Sequence, residues 1–236
     1  MAVLGDEPDQ GGAQVQHIFD EGFLRQPLAR GEQALVVGGG ISAQQTALAL
    51  ATDAPGGVSL LSRHGFRLHD FDIDSGWMGP RLSSFFARIA APDRRRAVIE
   101  RERHLGSAPR DVVARFRSGV ESGRIRHVLG NVSSAHRVDE RTVLALEEGG
   151  TVEADVVLLA TGFSPERPGG EWLDRTIGQL GLQCASCGYP VVNAGLRWAR
   201  GIYVAGPLGE LEIGPAARNI HGARLAGKRL LEVAKG

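Results

Sequence analysis

A glycine-rich turn between an apolar run and a helix-forming segment constrains this chain more than any other feature. Residues 34–37 are Ala-Leu-Val-Val, and a helix-prone stretch covers residues 44–52. In the Gly-x-Gly-x-x-Ala pattern between them, the first glycine permits a tight turn, the second lets the backbone approach a pyrophosphate, and the alanine lets helix and strand pack closely. The residues that this pattern assigns to a dinucleotide site are Gly38, Gly39, Gly40, Ile41, Ser42 and Ala43.

The helix after the turn is a second reason to expect an anion here. Free N–H groups and the positive dipole end of a helix N-terminus attract phosphates. A glycine triplet alone fits an ordinary loop equally well, and the flanking strand and alanine-rich helix favour the nucleotide interpretation. Ser42 is interpreted as a hydrogen-bonding residue of the first helical turn, because the chain has no Gly-x-Ser-x-Gly motif that would make it a nucleophile.

The residues after the second predicted strand, 58–62, indicate which cofactor would bind. An NAD site usually carries Asp or Glu there, which accepts a hydrogen bond from the ribose 2′-hydroxyl, whereas Arg favours the 2′-phosphate of NADP. This chain has Ser62, Arg63 and His64 at that place and no acid. Ser62 and Arg63 could donate to a 2′-phosphate and His64 could join them, which favours NADPH over NADH. Arg63 as an ordinary solvated surface charge is the alternative.

Composition excludes several classes of partner. The 236 residues carry 27 basic and 27 acidic side chains, so the formal net charge is zero. Proteins that bind nucleic acid or anionic membranes usually show clustered basic surface, which a balanced charge does not favour. No apolar run approaches the roughly 18 to 20 residues that a membrane span needs, and no signal-peptide pattern precedes the turn. These observations predict a cytoplasmic protein without nucleic-acid or membrane partners.

The order of patterns predicts an α/β fold. Strands are expected at 34–37, 58–62, 125–129, 132–138, 143–146, 152–160 and 201–206, and helices at 44–52, 80–91, 92–104, 109–122, 171–181 and 215–234. The run 156–163 ends a strand that reads as buried on both faces. The prediction is a Rossmann-type parallel sheet with helices on both faces, a small β-meander and a C-terminal strand–helix extension. The expected divisions are a lead-in at 1–33, an NAD(P)-binding domain at 34–163 and an extension at 164–236.

The order of these parts resembles the FAD/NAD(P)-binding flavoproteins related to N-hydroxylating and flavin-containing monooxygenases. The likeness spans nearly the whole chain. Beyond the glycine turn and the Ala-Thr-Gly-Phe strand end at 160–163, it rests on segments 61–64, 70–72, 76–80, 184–190 and 210–220. In that family a first glycine turn near the N-terminus binds FAD, a second binds NADPH, and the final strand and helix return to the FAD domain.

The resemblance implies further cofactor contacts and also a departure. Thr161 and Gly162 at the strand end are expected among the cofactor-binding residues. Residues near the flavin ring are expected to be Gly206, Pro207, Ile213 and Gly214. Only one glycine turn occurs in this sequence, and residues 1–8 resemble the segment that leaves the FAD domain. The flavin-binding half is therefore expected to be missing, and FAD is expected to bind weakly or only with a partner chain. A helix packed on its own strand remains the alternative for residues 206–214.

Two functions stay open at this point. The first is the NADPH-binding portion of a monooxygenase-like, flavin-dependent oxidoreductase, which transfers hydride from NADPH to FAD once a partner FAD domain completes the flavin site. The second is a non-catalytic remnant or regulatory binding module that has lost its flavin half. No side chain stands out as a catalytic acid or base, so whether the chain is an enzyme, and on what substrate, is left undecided.

Two further groups of residues have spacings typical of redox or metal chemistry. Cys184 and Cys187 have the spacing of a redox dithiol, but structural thiols in a turn before Gly188 are favoured. No second pair of ligands suggests zinc. The alternating acids Asp70, Asp72 and Asp74 resemble the start of a calcium loop, which fails because serine replaces the required glycine and arginine the bidentate glutamate. These acids are expected to cap or solvate a loop, and no metal site is predicted.

Overall fold

The computed structural model describes residues 14–21, 23, 31–54, 57–164 and 166–235, which form two compact units. Unit 1 contains the chain up to Asp70 together with Leu105–Phe163, and unit 2 contains Phe71–His104 and the chain from Ser164 onward. The strands are β1 (Gln14–His17), β2 (Ala34–Val37), β3 (Val58–Ser62), β4 (Arg67–Leu68), β5 (Ser107–Ala108), β6 (Ile125–Leu129), β7 (Val132–Val138), β8 (Arg141–Leu146), β9 (Thr151–Ala154), β10 (Val156–Leu159), β11 (Arg197–Ala199) and β12 (Ile202–Tyr203). The helices are α1 (Ile41–Asp53), α2 (Pro80–Ala87), α3 (Pro92–Glu102), α4 (Arg110–Glu121), α5 (Gly170–Leu180), α6 (Glu210–Ile213) and α7 (Ile220–Lys235).

A five-stranded parallel sheet forms the centre of unit 1, in the order β1-β10-β2-β3-β6. Leu35 of β2 lies level with Val157 of β10 on one side and with Ser59 of β3 on the other. Because all five strands run in the same direction, their carboxyl ends meet at one edge, where ligands of open α/β sheets bind. The glycine turn follows β2 directly and therefore lies at this edge.

The two faces of this sheet are covered by different layers. Side chains alternate along each strand, so neighbouring residues point to opposite faces. One face packs against α1 and α4, through a buried cluster that includes Val36, Leu60, Ala47, Leu50 and Phe116. The other face packs against the antiparallel meander β7-β8-β9, through Leu35, Leu61, Val157, Leu144 and Val152. The predicted α/β class with a Rossmann-type parallel sheet and a small meander is confirmed. Helices were expected on both faces of the sheet, and the meander occupies the face opposite α1 and α4 instead.

Strand β1 was not anticipated from the sequence, which suggested a lead-in over residues 1–33. Its four residues pair in parallel with β10 at the edge of the sheet. The sequence Gln-Val-Gln-His contains one strongly apolar residue, so it shows no strand periodicity of its own. Pairing with a buried neighbour therefore decides its conformation. Residues 1–8, which resemble a segment leaving a FAD domain, lie outside the described residues.

The C-terminal elements are shorter than the pattern suggested. The strand expected at 201–206 is limited to β12, which forms an antiparallel ribbon with β11. The helix expected at 215–234 is divided into a 3-10 turn, Pro215–Arg218, and α7. Asn219 separates them in an extended conformation, and its side-chain oxygen accepts a hydrogen bond of 3.0 Å from the N–H of Gly222. Asparagine is a favoured N-cap, because such a bond satisfies a free donor of the first turn.

Unit 2 contains a buried carboxylate that binds two guanidinium groups. Glu210 is 1% exposed. Its oxygens accept hydrogen bonds from Arg96 and from Arg218, the latter at 2.6 Å. Arg218 also donates to the hydroxyl of Tyr189 at 2.7 Å, and the Arg96 guanidinium lies 4.4 Å from the centre of the Tyr189 ring. Buried charges are tolerated when they are paired and hydrogen-bonded, as here.

An aspartate side chain caps the first 3-10 turn of unit 2. Asp74 caps the 3-10 turn Ser75–Met78, where its side chain accepts a hydrogen bond of 2.7 Å from the N–H of Gly76. This agrees with the capping role expected for the alternating acids.

Over the part of the chain that the structure describes, no helix combines the length and the apolar character needed to cross a membrane.

The contact between α7 and the preceding 3-10 turn leads to a stability prediction. A Cβ atom at Gly222 would lie 2.1 Å from the carbonyl oxygen of Ala216, so a Gly222→Ala variant must displace backbone. We expect the free energy of unfolding to fall by about 1 to 3 kcal/mol, as for other overpacked sites. Gly227, in the same helix, has open space around its Cα. The matched Gly227→Ala variant should gain up to about 1 kcal/mol from helix propensity. Equal denaturation midpoints for both variants would contradict the prediction.

Candidate functional site

The first glycine of the turn is required by the fold itself. Gly38 has φ +146°, and a Cβ atom there would lie 2.3 Å from the carbonyl oxygen of Ala160 at the end of β10. Its N–H donates to the carbonyl of Leu61 at 2.9 Å, while the N–H of Ala160 donates to Val37 at 2.8 Å. Only glycine fits this position, because the neighbouring backbone occupies the space of a side chain.

Gly40 is the third glycine of the triplet and the second of the Gly-x-Gly-x-x-Ala pattern. It differs from Gly38, because nothing in the described fold requires a glycine there. Gly40 has φ −82° and ψ −177°, an extended conformation that any residue adopts. A Cβ atom there would meet the backbone of Gly106 and Ser107 at 3.5 to 3.9 Å, which is ordinary van der Waals contact. The fold would therefore accept alanine at this position. A glycine here leaves the backbone open to a close-lying ligand.

The N-terminus of α1 is open to an anion. Gly40 is its N-cap and offers no side-chain hydrogen bond, and the first turn contains no acidic residue. The first backbone bond of the helix runs from the N–H of Gln44 to the carbonyl of Gly40 at 3.1 Å. The N–H groups of Ile41, Ser42 and Ala43 precede that bond, so they are the donors that a helix leaves unsatisfied at its start. Such groups form an anion site.

A buried glutamine beneath the turn was missed from the sequence. Gln44 is fully buried, and its side-chain amide donates to the carbonyl of Gly39 at 3.2 Å. Its side-chain oxygen has no hydrogen-bond partner among the described residues. The available signal was a polar residue inside the buried stripe of α1, between Ala43 and Ala47. Gln44 holds the middle peptide of the glycine turn.

The three residues expected to recognise a 2′-phosphate have different environments. Arg63 is exposed and forms no hydrogen bond or ion pair with any described residue. His64 is half-buried, and its ring lies near Gly39 and Gly106, with Cε1 3.8 Å and 3.6 Å from Cβ atoms placed there. Ser62 is 2% exposed, and its hydroxyl lies 2.9 Å from the carbonyl oxygen of His64. Its contacts are thus internal, in contrast to the open guanidinium of Arg63.

A second unexpected residue lies behind Ser62. His127 of β6 brings its Nε2 to 2.9 Å from the Ser62 hydroxyl. Its ring stacks on Phe66 at 4.6 Å and meets Phe116 edge-on at 5.8 Å. Burial lowers the pKa of His127, which favours the neutral imidazole. Because the Ser62 hydroxyl donates to the His64 carbonyl, it accepts from Nε2–H. Such a residue is invisible in the sequence, where it occupies one position of an ordinary strand.

The remaining predicted residues divide between the units. Thr161 and Gly162 follow β10 at the edge of the unit 1 sheet that holds the turn, and both are exposed. Gly206 and Pro207 begin a short 3-10 turn in unit 2. Gly214 is buried with φ +97°, and a Cβ atom there would lie 3.1 Å from the Phe86 ring. Ile213 is buried in the core of unit 2 with Leu196 and Ala217.

The two cysteines are free thiols on opposite sides of a turn. Cys184 packs in the cluster that contains Trp198, whereas Cys187 packs in the cluster that contains Tyr189. The N–H of Gly188 donates to the carbonyl of Ala185 at 2.9 Å and closes the turn. Burial raises the pKa of the Cys184 thiol, which disfavours the reactive thiolate. These contacts support the structural interpretation of the pair.

Several solved structures share this fold. The FAD-bound cadaverine monooxygenase DfoA of the desferrioxamine pathway, from Erwinia amylovora, has a TM-score of 0.66 and 13% identity, over 85% of this chain and 51% of that one. The ornithine N-hydroxylase KtzI of Kutzneria sp. 744, with reduced FAD, NADP⁺ and L-ornithine, has a TM-score of 0.64 and 18% identity, over 96% and 60%. The ornithine hydroxylase PvdA of Pseudomonas aeruginosa has a TM-score of 0.60 and 16% identity, over 86% and 53%. The chain thus spans between half and two thirds of these proteins.

The family of the chain is identified by its match to a family model, whereas no curated protein matches the chain. The model described as pyridine nucleotide-disulphide oxidoreductase matches residues 3–219, which include the glycine turn, the Ala-Thr-Gly strand end and the Gly206 turn. The predicted relation to FAD/NAD(P)-binding flavoproteins is confirmed by this match and by the shared fold of the monooxygenases. The chain therefore belongs to the pyridine nucleotide-disulphide oxidoreductase family.

Proposed function

We propose that unit 1 binds NADPH and that the chain is the NADPH-binding portion of a monooxygenase-like, flavin-dependent oxidoreductase. The observation that carries the proposal is the open N-terminus of α1. Gly40 precedes it without a capping side chain, no acid occupies the first turn, and the glycine itself is unexplained by packing. A pyrophosphate bound there would satisfy both the free N–H groups and the positive end of the helix dipole.

The surroundings of the turn favour the phosphorylated cofactor. Arg63 stands at the end of β3, next to the edge where the turn lies, and its guanidinium is free of described partners. A guanidinium offers a planar set of donors to a phosphate. His64 lies beside Gly39, and because its Nδ1–H donates to the carbonyl of Gly65 at 2.8 Å, only its Nε2 could face the same group. Ser62 is too buried to touch the ligand, so we assign it a supporting role.

FAD enters the proposal as the hydride acceptor, whose redox chemistry is its own once it is bound. The family resemblance assigns Gly206, Pro207, Ile213 and Gly214 to the flavin ring. The 3-10 turns at Gly206–Gly209 and Pro215–Arg218 have four residues each, too short to form a helical phosphate site, and Gly214 packs on Phe86. We infer that these residues could contact only the ring end of FAD. The FAD diphosphate would be held by a further glycine turn, in a partner FAD domain or elsewhere in the protein.

A second candidate, a non-catalytic nucleotide-binding module, is supported by the side chains around the turn. The His127 ring packs against two phenylalanines. The side chains of Gln44 and Ser62 donate hydrogen bonds to backbone carbonyls. These groups bind and orient, and none is placed to move a proton during a reaction. The same observation is compatible with the first proposal, since hydride transfer to a flavin requires positioning and no acid or base from the protein.

The first and third glycines of the turn give a direct test of binding. We expect Gly40→Val to abolish detectable NADPH binding, because a side chain at this glycine would occupy the space of the pyrophosphate. A Cβ atom at Gly40 already contacts the backbone of Gly106, so the folding of this variant is measured separately. Gly38→Ala should instead impair folding, because its Cβ atom would clash with Ala160. Titration calorimetry measures binding, and circular dichroism with thermal melting measures folding. If Gly40→Val binds NADPH like the wild type, the glycine turn does not bind the pyrophosphate.

Cofactor preference tests the role of Arg63. We expect NADPH to bind at least about tenfold more tightly than NADH, which corresponds to about 1.4 kcal/mol. Arg63→Ala should lose this preference by weakening NADPH alone, since NADH has no 2′-phosphate. Arg126→Ala removes another exposed arginine of the same unit and serves as the matched control. Equal affinities of the wild type for both cofactors, or an Arg63→Ala variant that still prefers NADPH, would refute the assignment.

Turnover separates the two candidate functions. We expect the 236-residue polypeptide to bind NADPH without consuming it, because hydride transfer needs a bound acceptor. Adding a separately expressed FAD domain should start NADPH consumption, followed through the nicotinamide absorbance. Consumption that starts with free FAD alone would show that residues 206–214 hold the flavin without help. A complex that forms with the FAD domain and leaves NADPH intact would favour the binding module.

A further inference from the structure

The end of β3 contains a hydrogen-bonded connection that spans Arg63. The Ser62 hydroxyl donates to the carbonyl of His64 at 2.9 Å, so the side chain of one residue holds the backbone two positions later. The carbonyl of Ser62 itself accepts from the N–H of Gly130 at 3.1 Å. Arg63 therefore lies between two fixed points, and the direction in which its side chain leaves the backbone is set by them.

His127 supports this connection through a hydrogen bond to Ser62. Its Nε2–H donates to the Ser62 hydroxyl at 2.9 Å, which directs the hydroxyl hydrogen to the His64 carbonyl. Phe66 stacks on the ring at an interplanar angle of 22°, and Phe116 meets it at 86°. These two aromatic contacts leave the imidazole little freedom to turn. Burial also lowers the pKa of His127 and keeps the ring neutral.

We propose that His127 is a positioning residue for the 2′-phosphate contact and that it sets the preference for NADPH through Ser62 and the backbone around Arg63. The inference rests on the proposed NADPH site and adds the device that determines its specificity. Phosphate recognition by a guanidinium depends on direction, because the donors lie in one plane. A long side chain on an unsupported loop would sample many directions and lose binding free energy when it is ordered.

The network predicts a selective effect of its loss. His127→Phe keeps an aromatic ring between Phe66 and Phe116 but removes the donor, and Ser62→Ala removes the hydroxyl. We expect each to lower the ratio of the NADH to the NADPH dissociation constant by about tenfold, comparable with one charge-assisted contact. The affinity for NADH should stay near its wild-type value, since NADH does not use the contact.

Two further variants separate positioning from general stability. The double variant Ser62→Ala/His127→Phe should lose no more preference than either single one, because both break the same connection. His127→Gln supplies an amide donor in place of Nε2–H and should restore most of the preference. Thermal melting identifies any variant that fails to fold, and the remaining variants then carry the test.

The outcomes distinguish this inference from the function on which it rests. A wild-type chain that binds neither cofactor, or both equally, contradicts the proposed NADPH site. A wild-type chain that prefers NADPH, with unchanged preference in His127→Phe and Ser62→Ala, overturns only the role of His127. Equal weakening of both cofactors in these variants, without rescue by His127→Gln, also overturns it, because a merely structural residue would act in that way.

Discussion

The contact between the backbone of Gly38 and the carbonyl of Ala160 determines the geometry on which the rest of unit 1 depends. At this point β2 ends between β10 and β3, and backbone hydrogen bonds join all three strands. The absent side chain lets the chain turn sharply over its neighbour and enter α1 without a gap. The position of the helix N-terminus, and with it the candidate anion site, follows from this contact. The candidate anion site is thus positioned by the central strands of the sheet.

Local patterns predicted the elements around this contact well. The apolar run before the turn, the alanine-rich segment after it and the second apolar run were recognisable from composition, and α1 and β3 lie where those patterns indicated. The first two meander strands were also recognisable, because they are joined by a short turn. The single strand expected at 152–160 is instead divided into β9 and β10, which belong to different sheets. The general class of the fold and the location of the glycine turn were therefore predictable from short-range information alone.

Features that depend on long-range contacts were not predictable. Strand β1 is made by pairing with β10, which lies more than a hundred residues away in the sequence. The segment Phe71–His104 contains two helices that belong with the C-terminal part of the chain in unit 2, although it interrupts unit 1 in sequence. Ser62 was predicted as a ligand contact because it lies at the strand end where NAD sites carry an acid, but the fold buries it against His127. No periodicity reveals a hydrogen bond between two strands.

The buried carboxylate of unit 2 has a consequence for how this part of the protein can change over evolution. Glu210, Arg96 and Arg218 come from three separate segments and form hydrogen bonds with one another, with Glu210 and Arg96 buried. Replacing Glu210 leaves two guanidinium groups without their shared carboxylate, and replacing either arginine removes one of the two cations that neutralise it. Breaking such a group is costlier than replacing all of its members by apolar residues. Single substitutions are therefore disfavoured steps. In related sequences the three residues should be inherited together or be exchanged together, so that their joint presence marks descendants of this architecture.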